Sequence, residues 1–165
     1  MHRFSGQLAK EGASVGAGGT RRLSVPATDE GIRTALDALG ALWDAEGVSP
    51  ALTWPVEVSL DEVLANVVRH GLRGRGESAR VELELRLEPG DPPLCELRLS
   101  DDGPEFDPLA AAAPDTALGL DERPIGGLGI ELVKRLMDEV QYERKDGRNR
   151  LRLARRLVAI EPSGA

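Results

Sequence analysis

Glu62 and Asn66 stand one helical turn apart in the run Glu62-Val63-Leu64-Ala65-Asn66-Val67-Val68-Arg69-His70-Gly71. Leu60, Val63, Leu64, Val67 and Val68 recur with helical period, so the segment reads as an amphipathic helix. Residues at i and i+4 share a face, with Cβ atoms about 5–6 Å apart. A carboxylate beside an amide oxygen there could hold a hydrated magnesium ion and accept a proton from a nearby hydroxyl. A solvated helix face can carry the same two residue types, so the pair gains its meaning from its companions.

Two further segments have chemical content. Asp101-Asp102-Gly103-Pro104-Glu105-Phe106-Asp107-Pro108 follows an apolar strand. An aspartate leaving a sheet into a glycine turn can accept a hydrogen bond from a flat ligand with an exocyclic amine, such as adenine. An ordinary Asp-Gly turn would look the same in isolation. Gly126-Gly127-Leu128-Gly129 opens another helical pattern. Glycines at a helix start let backbone N–H groups approach phosphates, and the helix dipole favours an anion there.

The elements that must position these residues can be read from periodicity. Leu23, Val25 and Ala27 alternate with Ser24 and Pro26, as in a short edge strand. A first helix is expected over about residues 29–46, with Ile32, Leu36, Leu39 and Trp43 on one face. Gly47 caps it and Pro50 prevents its continuation. The Glu62/Asn66 helix is expected over about residues 55–70, ended by Gly71. Val81, Leu83, Leu85 and Leu87 then alternate with charged residues, which means one buried and one wet face. Cys95, Leu97 and Leu99 form the next strand, and the phase of Cys95 marks a core thiol rather than a nucleophile.

Residues 104–125 contain four prolines and no clear period, and such a long loop reads as a functional lid or a disordered stretch. Arg123 within it could act as counter-ion to a terminal phosphate. A third helix follows with Ile130, Val133, Leu136 and Met137 inward, then strands near 139–144 and 150–157 joined by the Asp146-Gly147 turn. The order predicts an α+β fold, a two-layer sandwich of a mixed, mainly antiparallel sheet packed on helices. The expected organisation is a flexible tail over 1–20, one domain over 21–157 and a short tail over 158–165.

Composition narrows the function classes. The 165 residues have a net charge of −7, which argues against sequence-independent nucleic-acid binding. No apolar run approaches transmembrane length and no signal-peptide core opens the chain, so a cytoplasmic protein is expected, without membrane or nucleic-acid partners. One cysteine excludes an internal disulfide, and two histidines leave little material for a histidine-rich metal site or a Ser-His-Asp triad.

The order and spacing of the three segments resemble the N box and glycine boxes of the GHKL ATPase superfamily. Within it, the chain is most similar to the anti-sigma factor serine/threonine kinases of partner-switching systems. Glu62, Asn66, His70 and Gly71 meet the first motif; Asp101, Gly103 and Phe106-Asp107-Pro108 meet the second. Gly127, Gly129, Ile130, Met137 and Asp138 meet the third. The resemblance covers roughly residues 21–157 and implies a GHKL (Bergerat) ATP-binding fold.

It also implies roles. ATP and magnesium are the expected cofactors, with Asn66 on the metal and Glu62 as general base toward a protein serine or threonine hydroxyl. Asp101 would bind the adenine amino group, Gly103 would let the base approach, and Gly127 and Gly129 would shape the phosphate side. Arg33 matches a position that contacts the partner. Two departures stand out: Glu105 replaces a frequent second glycine, and Arg148-Asn149 replaces a threonine that contacts adenine, where Asn149 could substitute through its amide. The implied partner is a STAS-domain anti-anti-sigma protein, with a sigma factor or other regulator as a second partner and a homodimer as a common arrangement. The alternative is a non-catalytic, nucleotide-dependent anti-sigma or sequestering protein, but retention of both Glu62 and Asn66 favours the enzyme. A complete histidine kinase would need an upstream helical pair bearing its phosphoacceptor, and only His2 precedes the domain.

Overall fold

The computed structural model describes residues 17–75, 78–110 and 127–159, without the side chains of 127 and 128. Most of both tails, residues 111–126 of the expected lid and Arg123 lie outside the described residues. The chain order is β1 (Gly19–Pro26), α1 (Asp29–Glu46), α2 (Pro50–Asn66), a π-helical turn (Val67–Gly71), β2 (Arg80–Glu88) and β3 (Leu94–Asp101). After 126 come α3 (Gly127–Leu136), β4 (Glu139–Lys145) and β5 (Arg148–Arg156).

The five strands form one sheet in the order β1-β2-β3-β5-β4. All four pairings are antiparallel, so the expected mixture of strand directions is absent from the described sheet. The inner face carries Leu83, Leu85, Leu97, Leu99 and Leu153, packed against Leu39 and Leu42 of α1, Leu60 and Val63 of α2, and Ile130 and Val133 of α3. Cys95 belongs to the same core, fully buried. Burial and the neighbouring Glu96 push its thiol pKa well up, as its strand phase implied.

Local signals explain most boundaries. Thr28 caps α1 by accepting from Gly31 N–H, and Gly47 closes it in the left-handed conformation at φ 67°. Pro50 ends one helix as anticipated but also starts the next, occupying the first helical position where a missing N–H costs nothing. Pro55, expected to open α2, lies inside it. An interior proline costs about 3 kcal/mol, whereas each fully buried Val or Leu contributes about 1.5–3 kcal/mol. Val56, Leu60, Val63 and Leu64 are all fully buried, so packing outweighs the break. At the other end, α2 does not run on as α-helix to residue 70: after Asn66 it widens into the π-helical turn.

Candidate functional site

The π-helical turn decides where the site forms. Such turns are rare and occur frequently at functional positions, because one wide turn re-aims the chain without ending the helix. Asn66 is the last α-helical residue before it, and its Nδ2 donates to the backbone oxygen of Glu62 at 2.8 Å. That bond engages the amide nitrogen, and among the described residues no hydrogen-bond donor reaches Oδ1. Glu62 is half-buried on the same face.

The start of α3 closes over this pair. A Cβ added at Gly129 would lie 2.0 Å from Glu62 Oε2 and 2.8 Å from Glu62 Cδ. The carboxylate therefore occupies the volume that any other residue would need for its side chain. The structure thus brings Glu62, Asn66 and Gly129 together from two motifs more than 60 residues apart. Gly127 lies two residues earlier, at the first position of α3, among backbone N–H groups that a helix leaves unpaired.

Asp101 lies on the other side of the turn, at the end of β3 and 5% exposed. Its Oδ1 accepts from Gly103 N–H and from Asn149 Nδ2, each at 2.8 Å. Among the described residues no donor reaches its other oxygen. Gly103 is tightly seated: an added Cβ would lie 2.4 Å from Leu72 Cδ2 and 2.8 Å from Asp101 Oδ1.

Asn149 lies across from Asp101 in the β3–β5 register and is 5% exposed. Its Nδ2 donates to Asp101 Oδ1 and to Pro104 O, both at 2.8 Å. Its Oδ1 accepts from Tyr142 OH at 2.8 Å and from Phe106 N–H at 3.2 Å. An asparagine amide has two donors and two acceptor sites, and all four are used. The amide cannot be reversed, because its oxygen would then face the Asp101 carboxylate. Asn149 therefore braces Asp101. The direct adenine contact suggested by its position has no hydrogen-bonding group left to make it.

Sequence reading overlooked two residues of this network. Tyr142 holds Asn149, and Arg144 donates to Gly103 O at 2.8 Å, pinning the turn to β4. The signal was available. The two-residue turn at Asp146-Gly147, both at positive φ, fixes the hairpin register and sets Arg144 opposite Asn149. Asp101, Asn149 and Arg144 thus form one row across three strands. Burial and the carboxylates of Glu105 and Asp107 raise the Tyr142 pKa, which keeps its hydroxyl a donor.

Phe106 seals the space between the two halves. Its ring lies against Gly71, where an added Cβ would be 2.7 Å from Phe106 Cδ1, and 6.4 Å from the His70 ring centroid. With Val67, Leu99, Asp101, Asn149 and Leu151 it encloses a cavity of only ≈10 Å³, about the room for one water. A small-molecule site needs some hundreds of Å³. The apolar walls and the single carboxylate suit a planar base, but the ring must move aside first.

No group of three or more acidic, histidine or cysteine side chains that could hold a metal occurs among the described residues. Magnesium keeps several waters and takes few protein ligands beside substrate phosphates, and an amide oxygen is a hard ligand of the kind it accepts. Asn66 Oδ1, oriented by the bond to Glu62 O, would supply the protein oxygen. Arg33 is exposed on α1, one helical turn after Asp29, which pairs with Arg69 of the π-helical turn. No helix among the described residues is long and apolar enough to cross a membrane.

Residues 25–155 match the histidine kinase-like ATPase domain family. Over 142 residues the chain is 34% identical to the serine/threonine-protein kinase BtrW of Bordetella bronchiseptica, covering 81% of this chain and 90% of the relative. It is 26% identical over 129 residues to the serine-protein kinase RsbW of Listeria monocytogenes, covering 76% and 80% respectively. Among solved structures, the RsbU and RsbW domains of Rv1364c from Mycobacterium tuberculosis superpose with a TM-score of 0.57 at 16% identity. That match covers 84% of this chain and 32% of the other, and carries the fold alone.

Proposed function

This chain belongs to the histidine kinase-like ATPase domain family, and we propose that it is a partner-switching serine/threonine kinase whose substrate is a STAS-domain anti-anti-sigma protein. The observation that carries the reading is the Glu62 carboxylate lodged against Gly129, with Asn66 one turn along. A pure nucleotide-binding module has no use for a carboxylate held beside a phosphate-binding helix start. The kinase names of the two relatives support the same reading.

In this reading Asp101, held by Gly103 N–H and Asn149, accepts the adenine amino group, while the unpaired N–H groups at the start of α3 face the phosphates. Magnesium, when bound at Asn66, supplies charge neutralisation for the phosphates. Glu62 accepts the proton of the partner's serine or threonine hydroxyl as that oxygen bonds to the γ-phosphorus and ADP departs. Arg33, exposed on α1, would contact the partner, and a sigma factor or other regulator would compete for it.

The deciding experiment is incubation with radiolabelled ATP and a candidate STAS-domain protein. Wild type should transfer label to the partner, and Glu62→Gln should bind ATP yet transfer about 10²–10⁴-fold more slowly. ATP-dependent partner binding without any transfer by wild type would replace the kinase with the sequestering protein.

A further inference from the structure

The negative charge of this chain is concentrated in one layer. α1 and α2 together hold eight carboxylates and one arginine, a net of −7 that equals the net charge of all 165 residues. The remainder is balanced, with 28 − 8 = 20 acids against 21 − 1 = 20 bases. On the solvent face of the sheet, ion pairs such as Arg150–Glu143 and Arg152–Glu96 hold that balance locally.

Between α1 and α2 runs an open groove of ≈650 Å³. Leu36, Gly40, Ala41 and Val58 form its apolar floor, and Asp37, Asp44, Glu57 and Asp61 line its rim, with no cation among them. None of the four carboxylates is ion-paired among the described residues. We infer that this groove is a docking surface for a basic amphipathic helix of a partner protein.

Three observations select that occupant. The unneutralised rim calls for cations, and the apolar floor calls for aliphatic side chains between them. Asp37 and Asp44 are seven residues apart on α1, about 10.5 Å along the axis, which a helix laid alongside matches with Lys or Arg at i and i+7. Between them Gly40 leaves the groove unfilled, for an added Cβ there would meet nothing within 4 Å. A second copy of the chain is disfavoured, because a two-fold contact through this face sets like carboxylates against each other.

The groove stands independently of the kinase reading, and its test uses no nucleotide. The probe is a synthetic Lys/Leu amphipathic helix of about 14 residues, compared with its Glu/Leu counterpart, titrated into the full chain by calorimetry and amide NMR. The Lys/Leu peptide should perturb α1 and α2 amides around residues 36–44 and 57–61, and the Glu/Leu peptide should not. Gly40→Leu fills the groove without changing charge and should weaken binding at least about tenfold, with no loss of thermal stability. Asp37→Lys with Asp44→Lys should weaken it as strongly, whereas Glu139→Lys with Glu143→Lys on the sheet face, an equal change in charge, should cost about twofold or less. Equal losses from the two charge reversals, full affinity in Gly40→Leu, or perturbations centred on the sheet would each overturn the inference.

Discussion

Gly129→Ala is the sharpest test of how the site is assembled. The new methyl would lie 2.0 Å from Glu62 Oε2, and ordinary van der Waals contact begins at about 3.4 Å, so the oxygen must retreat by at least 1.4 Å. Because the obstructing atom is the far end of a flexible, half-buried side chain, the retreat is a rotamer change and the fold should hold. Alanine also favours the helix by up to about 1 kcal/mol over glycine, which offsets part of any strain. The reaction has no such tolerance. A misplacement of about 1 Å costs roughly 10²-fold in rate, or close to 2.7 kcal/mol of barrier. Single-turnover phosphotransfer from saturating ATP to a confirmed STAS-domain partner should therefore fall by about that factor, while the melting temperature stays near wild type. A mutant that folds, binds ATP and transfers phosphate at the wild-type rate would show that the position of the Glu62 carboxylate against α3 is irrelevant to the chemistry.

Other perturbations probe the remaining parts. Asn66→Ala should abolish the magnesium dependence of ATP binding with the fold intact, seen as equal affinity with and without magnesium by calorimetry. Phe106→Ala should speed nucleotide association in stopped-flow fluorescence, because the ring closes the ≈10 Å³ cavity beside Asp101; an unchanged rate would mean the ring is no barrier. Tyr142→Phe should change the alkaline limb of stability. The folded-state pKa of Tyr142 is raised, so its contribution is complete below the unfolded value of about 10 and is lost as pH rises through the folded one. The variant should show a flatter decline above that pH in denaturant titrations. Cys95 should resist thiol reagents in the native state and react once upon unfolding, since it is fully buried and its thiol pKa is raised.

Much of this architecture was legible because local signals agreed with one another. The Thr28 cap and the left-handed Gly47 bracket α1 at the bounds its apolar period implies, and the strict alternation from Arg80 to Glu88 marks β2 as half-buried. What stayed hidden depends on tertiary packing. Pro55 argues locally for a helix start, and only the burial of Val56, Leu60, Val63 and Leu64 shows why α2 begins a turn earlier. Nothing in the run Val67–Gly71 announces a π-helical turn, yet that turn carries the chain from Asn66 to the walls of the Asp101 cavity.

The site shows the same division. Asp101, Gly103, Glu62 and Asn66 were visible as residue types at suggestive spacing, but spacing along a chain says nothing about which hydrogen-bonding groups remain open. Asn149 illustrates the difference. By type and position it could have faced a nucleotide; in the structure Asp101, Pro104, Phe106 and Tyr142 use its whole hydrogen-bonding capacity. A buried amide so fully engaged is costly to disturb, for each orphaned partner loses about 1–3 kcal/mol. In the structure the β5 contribution of Asn149 is thus to fix Asp101. On the proposed function, adenine recognition would rest on a single carboxylate oxygen, held in place by Asn149, Tyr142 and Arg144.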